Sequence, residues 1–269
     1  MKKQKKNENE KVCVLISCMN QTKEIVNHTN VQSDVVVINQ CNIDDVEEWC
    51  FRNKHDEQCY VKFISTTERG LSRSRNMAIR NCQSEICLVC DDDEVLADDY
   101  PEMIREGYSQ YPDAGVIAFA INDGLHTFPS KAQKLGFKTI LRSNSQQITF
   151  KREIINQKGI SFDTKMGSGT GNGGGEEIKF LLDCRRNALK MYYHPNCITT
   201  VHQNESQWFH GYTDSYFVNF GWTSRRLLGP LVGFAYMTYF MLSHGDLIKK
   251  DNTVRSAFIH SLMGWRENR

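Results

Sequence analysis

Along the first half of the chain, apolar residues fall in short unbroken runs, each closed by a polar cluster. Val12 to Ser17, Asp34 to Ile38, Tyr60 to Ser65 and Ile86 to Cys90 are such runs. Their shortness, their β-branched content and their polar boundaries predict buried strands. Between them, a polar stretch reaching Ile25 and Val26 reads as helical. Val46, Trp49 and Cys50 predict a helical turn after the second strand, and Leu71 to Ile79 a helix with Leu71, Ala78 and Ile79 inward. A helix to about Gln110, a turn over Tyr111 to Gly115 and a fifth strand, Val116 to Ile121, follow. Alternating strands and helices predict a parallel sheet covered on both faces.

The second half is less regular. Asn122 to Lys138 reads as a loop, Ile148 to Lys151 as a short strand, and Gly167 to Gly175 as a glycine-rich loop. Ile178, Leu181 and Leu182 lie at helical spacing, which puts Glu176 and Glu177 in the first turn of a helix. A carboxylate there is favoured by the macrodipole and is expected to be ionised at neutral pH. Cys197 to Val201 is another strand, ended by His202. The uncharged stretch Leu227 to Ser243 stands at the lower edge of spanning length, and its Gly, Pro, Thr and Tyr residues argue for a buried or interfacial helix. Arg225 and Arg226 before it and Lys249 and Lys250 after it suit lipid headgroups.

Composition narrows the class. With 269 residues and 40% hydrophobic content, the chain can bury a full core. A net charge of +1 offers no field for nucleic acid. The polar opening, residues 1–11, is expected to be a disordered tail, and no apolar run of secretory length follows it. The ten cysteines lie in apolar strands or at scattered positions, which predicts reduced thiols in a cytoplasm. Cys82, Cys87 and Cys90 imitate an iron–sulfur spacing, but the next cysteine is the distant Cys184.

The candidate chemistry gathers at the end of the fourth strand. Asp91, Asp92, Asp93 and Glu94 follow one another there, and the cost of four adjacent carboxylates is most simply offset by a cation. Asp91 and Asp93, two residues apart on an extended chain, share a side and suit Mg²⁺ or Mn²⁺. Ligands of such sheets sit beyond the carboxyl ends of the strands. Asn20 and Asn39 stand at two of those ends, with Arg69, Arg73 and Arg75 near in sequence. Together these residues suit a nucleotide with its diphosphate and metal. Gly169, Gly171 and Gly174 match a dinucleotide spacing, but no apolar strand leads into them, so a loop closing over substrate fits better. His202, beyond the last strand, is a candidate further metal ligand.

With these residues assembled, the chain resembles family 2 glycosyltransferases of the GT-A fold. The resemblance is carried by Val12 to Asn20, Gly70-Leu-Ser-Arg-Ser-Arg-Asn76, Leu88 to Asp93 and Gly175-Glu-Glu177, in the family's order. It implies a mixed, mostly parallel α/β sheet flanked by helices, with a C-terminal helical extension. The implied catalytic domain is 12–205, with a nucleotide-sugar half at about 12–121 and an acceptor half at about 122–205; residues 206–269 form the extension. It further implies inverting sugar transfer from a nucleotide-diphosphate donor, probed through Ser17, Asn20, Asn39, Arg69, Gly70, Arg73, Arg75, Asn76, Asp91 and Asp92. Asp91, Asp93 and His202 would hold Mn²⁺ or Mg²⁺. Glu177 would be the base beside Glu176, where the family carries Asp. Asn39 stands where many members have an Asp that reads the base. The acceptor implied is a glycan or lipid-linked glycan, in a cytoplasmic enzyme with an optional peripheral contact at the inner membrane face. A sugar-phosphate nucleotidyltransferase would carry a glycine-rich loop after the first strand, and Ser17 to Thr22 has none. A noncatalytic carbohydrate-binding protein would need neither base nor metal set.

Overall fold

The computed structural model describes residues 10–201 and 211–267. In chain order, β1 (Val12–Met19), α1 (Ile25–His28), β2 (Asp34–Gln40), β3 (Asp45–Arg52) and β4 (Gln58–Thr66) come first. Next are α2 (Leu71–Asn81), β5 (Ile86–Asp91), β6 (Glu94–Leu96), α3 (Tyr100–Gln110) and β7 (Ala114–Asn122). Then come β8 (Gln133–Lys134), α4 (Phe137–Ile140), a 3-10 turn (Ser145–Gln147), β9 (Ile148–Lys151) and α5 (Arg152–Gln157). The chain continues with α6 (Glu176–Arg186), β10 (Lys190–Val201), α7 (Asp214–Ser243), α8 (Gly245–Ile248) and α9 (Val254–Arg266).

The strands join in one mixed sheet of order β3-β4-β2-β1-β5-β9-β7-β10-β6, with β8 pairing β10 from the side. β4, β2, β1 and β5 are parallel neighbours, so their carboxyl ends share one edge. β9 is antiparallel to both β5 and β7, which brings the end of β7 to that same edge. Both sheet faces are covered. One packs Ala78 and Ile79 of α2 with Phe180 and Leu181 of α6, the other packs Tyr100, Ile104 and Tyr108 of α3. All ten cysteines are free thiols.

β8 and the start of α4 lie in the stretch read as a loop, and two larger elements also differ from the sequence reading. The helical turn expected around Val46 is an edge strand, β3, antiparallel to β4 with Trp49 opposite Val61. Glu47, Trp49 and Phe51 are half-buried and alternate with exposed Val46, Glu48 and Cys50, a period of two that the 46–49–50 spacing concealed. β4 would otherwise expose its ladder groups, and a charged strand covers them. The second difference is in α7, which is not continuous: Gly229 has φ 79° and ψ 176° just before Pro230. Proline cannot supply the N–H that a continuing helix needs. The halves fold back on each other, with Phe220 against Phe240 at 4.6 Å and against Tyr236 at 5.9 Å between ring centres. Among the described residues no helix is long and apolar enough to cross a membrane.

Candidate active site

β5 ends at the shared carboxyl edge and delivers Asp91, and the turn into β6 carries Asp92 and Asp93. The four acidic residues do not present four free carboxylates. Glu94 is buried, its Oε1 accepts the Asp91 N–H at 2.7 Å, and burial together with Asp91 pushes its carboxyl well up. Asp91 faces the guanidinium of Arg75, whose Nη2 donates to Oδ1 at 2.8 Å and Oδ2 at 3.0 Å. Arg75 Nη1 donates to Glu176 Oε1 at 2.8 Å. Thus part of the repulsion that the four adjacent carboxylates would suffer is relieved by an arginine. Burial opposes the Arg75 charge, but Asp91 and Glu176 outweigh it and hold the guanidinium firmly protonated. Asp92 and Asp93 remain exposed at the turn.

α2 explains why Arg75 points inward. The helix buries a polar face, in which Ser74 Oγ meets Ser17 Oγ at 2.9 Å and Ser72 Oγ donates to the Met166 carbonyl at 2.8 Å. Asn76 exchanges two 2.8 Å hydrogen bonds with the backbone of Phe162. Arg75 itself is 1% exposed and lies 5.4 Å from the Phe162 ring. Ser17, Asn76 and both terminal nitrogens of Arg75 thus hydrogen-bond within the protein, and Arg75 also lines the cleft beside Asp91. Asn39 is also held: its Oδ1 accepts from the Gln21 N–H at 2.9 Å and its Nδ2 donates to the Gln21 carbonyl at 3.0 Å. It clasps the loop after β1, where exposed Asn20 takes φ 53°. Arg69 donates to the Thr66 carbonyl and to Asn42, while Arg73 is exposed beside Glu68. Gly70, with φ 119°, donates its N–H to Gln40 Oε1 at 2.7 Å. Asp92 accepts from Gln21 Nε2 at 3.0 Å.

Across from Asp91, the glycine loop ends at Gly175, whose φ of 95° starts α6 and turns Glu176 toward Arg75. The loop is tied to α2 by the Leu71 N–H donating to the Ser168 carbonyl at 3.0 Å. Asp91, Arg75, the glycine loop, Glu176 and Glu177 line one cleft of about 690 Å³. Burial and the neighbouring Glu176 push the Glu177 carboxyl up to about 8, so without ligands it holds its proton at neutral pH. This reverses the expectation of an ionised group: desolvation outweighs the helix N-terminus. Sequence reading also missed the wall formed by Asn144, Ser145 and Gln146, from which Ser145 Oγ donates to Asp91 Oδ2 at 3.1 Å. A signal for it was present, since Asn144 and Gln147 make a capping box at this turn.

The donor set fits a hard divalent cation. Asp91 and Asp93 carry carboxylate oxygens of the kind such an ion takes, although both Asp91 oxygens already accept from Arg75; burial, and after it Asp91, raises the Asp93 carboxyl. Among the described residues no third His, Cys, Asp or Glu converges with them. The one triplet that does converge, His55, Asp99 and Glu102, is exposed, with His55 in the turn that leads into β4, at the opposite sheet edge. His202 lies outside the described residues.

The sheet and its flanking helices match solved glycosyltransferase structures at low sequence identity. S. aureus TarS 1–349 aligns with a TM-score of 0.63 and 12% identity over 95% of this chain and 80% of that one. Its complex with UDP-GlcNAc gives 0.64 and 13% over 94% and 79%. The mannosyltransferase PcManGT from Pyrobaculum calidifontis, in complex with GDP-Man and Mn²⁺, gives 0.55 and 12% over 95% and 86%. These likenesses establish the GT-A fold. No curated protein matches the sequence. The pattern that describes glycosyl transferase family 2 matches residues 7–170, which is more than half of the chain, and the protein belongs to that family.

Proposed function

We propose that this glycosyltransferase moves a sugar from a UDP-linked donor to a hydroxyl of a glycan or lipid-linked glycan, with inversion, in surface polysaccharide synthesis. The observation that carries the reading is one cleft lined by Asp91 and Glu177, with Arg75 bridging Asp91 to Glu176. The nucleotide-sugars in the TarS and PcManGT complexes support this donor class. Glu177, once deprotonated, takes the proton of the attacking hydroxyl. Arg75 holds Asp91 and Glu176 in fixed register, so the two walls of the cleft keep their spacing. Asn20, held in place by the Asn39 clasp, faces the donor side with Arg69, Gly70, Arg73 and Asp92. Mg²⁺ or Mn²⁺, held by Asp91 and Asp93 with His202 as a further ligand, would neutralise charge on the leaving diphosphate.

Incubation with a panel of UDP- and GDP-sugars and Mn²⁺, read by release of free nucleotide, tests the proposal. Glu177→Gln should lower turnover by about 10²–10⁴ while donor still protects the protein against thermal unfolding. Unchanged turnover in that variant would move the base elsewhere. Release of pyrophosphate from a nucleoside triphosphate would instead mark a nucleotidyltransferase, and binding without turnover a carbohydrate-binding protein. Peripheral membrane contact through the C-terminal helices is part of the same proposal, supported by exposed Leu231, Tyr239 and Leu242 beside exposed Lys249 and Lys250.

A further inference from the structure

Beside the catalytic cleft lies a second cavity of about 630 Å³, and the two meet at residues 143–146, with Asn144 common to both linings. Asn144 faces both cavities, and its neighbour Ser145 donates to Asp91. The cavity opens among α4, the loop after β7 and Tyr193 of β10. Its size suits one or two sugar rings. Its chemistry is one-sided: Lys138, Arg142 and His126 line it, and no carboxylate does. Lys138 lies in α4 and Arg142 in the turn that follows it, and both line the cavity. Among the described residues neither has an acidic partner, unlike Lys54, Lys62, Lys179 and Arg226 elsewhere in the chain.

His126 is the built part of this site. Its Nδ1 lies 2.7 Å from Asp123 Oδ2, and the Asp123 side chain is 1% exposed. Asp123 Oδ1 also accepts the N–H groups of Leu125 and His126. Burial alone would raise the Asp123 carboxyl, but these hydrogen bonds outweigh it and hold the group below its usual range. A fixed carboxylate therefore sets the imidazole ring, and the other ring nitrogen is left for a ligand. Phe128 and Tyr193 add aromatic surface against which the apolar face of a sugar ring can lie.

We infer that this cavity is the acceptor subsite and that it selects a saccharide carrying an anionic group, a carboxylate or a phosphate ester, through Lys138, Arg142 and His126. The inference rests on the transferase reading and names its acceptor class. Two positive side chains and an oriented imidazole, with no carboxylate in the lining and Asp123 buried behind the His126 ring, stabilise an oxyanion more than a neutral hydroxyl.

The test is binding of methyl β-glucuronide, glucose 6-phosphate and methyl β-glucoside, followed by saturation-transfer NMR without divalent cation. Both anionic saccharides, or one of them, should bind saturably and the neutral glucoside at least tenfold more weakly; the stronger of the two identifies carboxylate or phosphate as the group read. Lys138→Glu with Arg142→Glu should weaken anionic binding at least tenfold, while Arg142→Lys retains most of it. Both positions are exposed, and the thermal unfolding midpoint of each variant checks the fold; Arg142→Gln alone serves if the double reversal unfolds. Equal binding of neutral and anionic sugars, no binding of either anionic sugar, or binding indifferent to charge reversal would each overturn the inference. Nucleotide-sugar protection measured on the wild-type protein separates the two failures: its loss removes the transferase reading, and its presence leaves only the acceptor inference at stake.

Discussion

Arg75 illustrates how one side chain links two halves of a site. Its guanidinium bridges Asp91 and Glu176, two carboxylates that would otherwise sit partly or wholly buried without a counter-charge. Removing one member of such a group leaves uncompensated charge, a loss of about 3–5 kcal/mol. Arg75→Met should therefore lower the unfolding midpoint by roughly 10 °C, read by circular dichroism, and Arg75→Lys should recover only part, because an ammonium cannot fork to both partners. Glu177 supplies a pH prediction. Its carboxyl is raised to about 8, and a general base works only when deprotonated. kcat/KM should accordingly be low at pH 6 and climb through about 8, and a profile flat from pH 6 to 9 would contradict this assignment.

At the scale of elements, the helices after β10 pack through missing side chains. A Cβ on Gly221 would stand 1.8 Å from the Ser261 carbonyl oxygen, and one on Gly264 would stand 1.8 Å from that of Val218. Neither backbone can retreat without parting α7 from α9. Gly264→Ala should cost about 1–3 kcal/mol or more by overpacking and should make the C-terminal helices the first segment cut in limited proteolysis. Gly229→Ala is a contrasting case: nothing lies within 4 Å of the added atom, so its cost comes from the positive φ alone. α2 shows the opposite strategy, in which Ser72, Ser74, Arg75 and Asn76 bury polar groups that are bonded to partners distant in the chain.

For the whole molecule, the C-terminal helices present an apolar and basic surface. Leu231, Tyr239 and Leu242 are exposed on the second half of α7, and Ile259 and Met263 on α9, where Arg255 and Arg266 flank them in sequence. Such a surface should bind vesicles containing anionic lipid and release them as salt rises past the point where surface charges are screened. Co-sedimentation measures this: Leu231→Glu with Leu242→Glu should abolish binding, and equal binding to neutral vesicles would remove the electrostatic part of the argument.

The strands were legible in the sequence because buried strands are short apolar runs, and β1, β2, β4, β5 and β9 fall where the pattern put them. The helix opened by Glu176 and Glu177 was equally legible, through its spacing and its glycine start. β3 was not, since an edge strand exposes one face and its alternation is weak. Nor were the Arg75 bridge to a carboxylate 101 residues away and the break at Gly229 that turns one apolar stretch into two packed helices. The linear order of residues determined which stretches would be buried and which acids and glycines would reach the strand ends. Which of those charges would neutralise one another, and which would remain for a ligand, was decided by packing alone, because ionisation depends on neighbours that only the folded chain brings within a few ångströms.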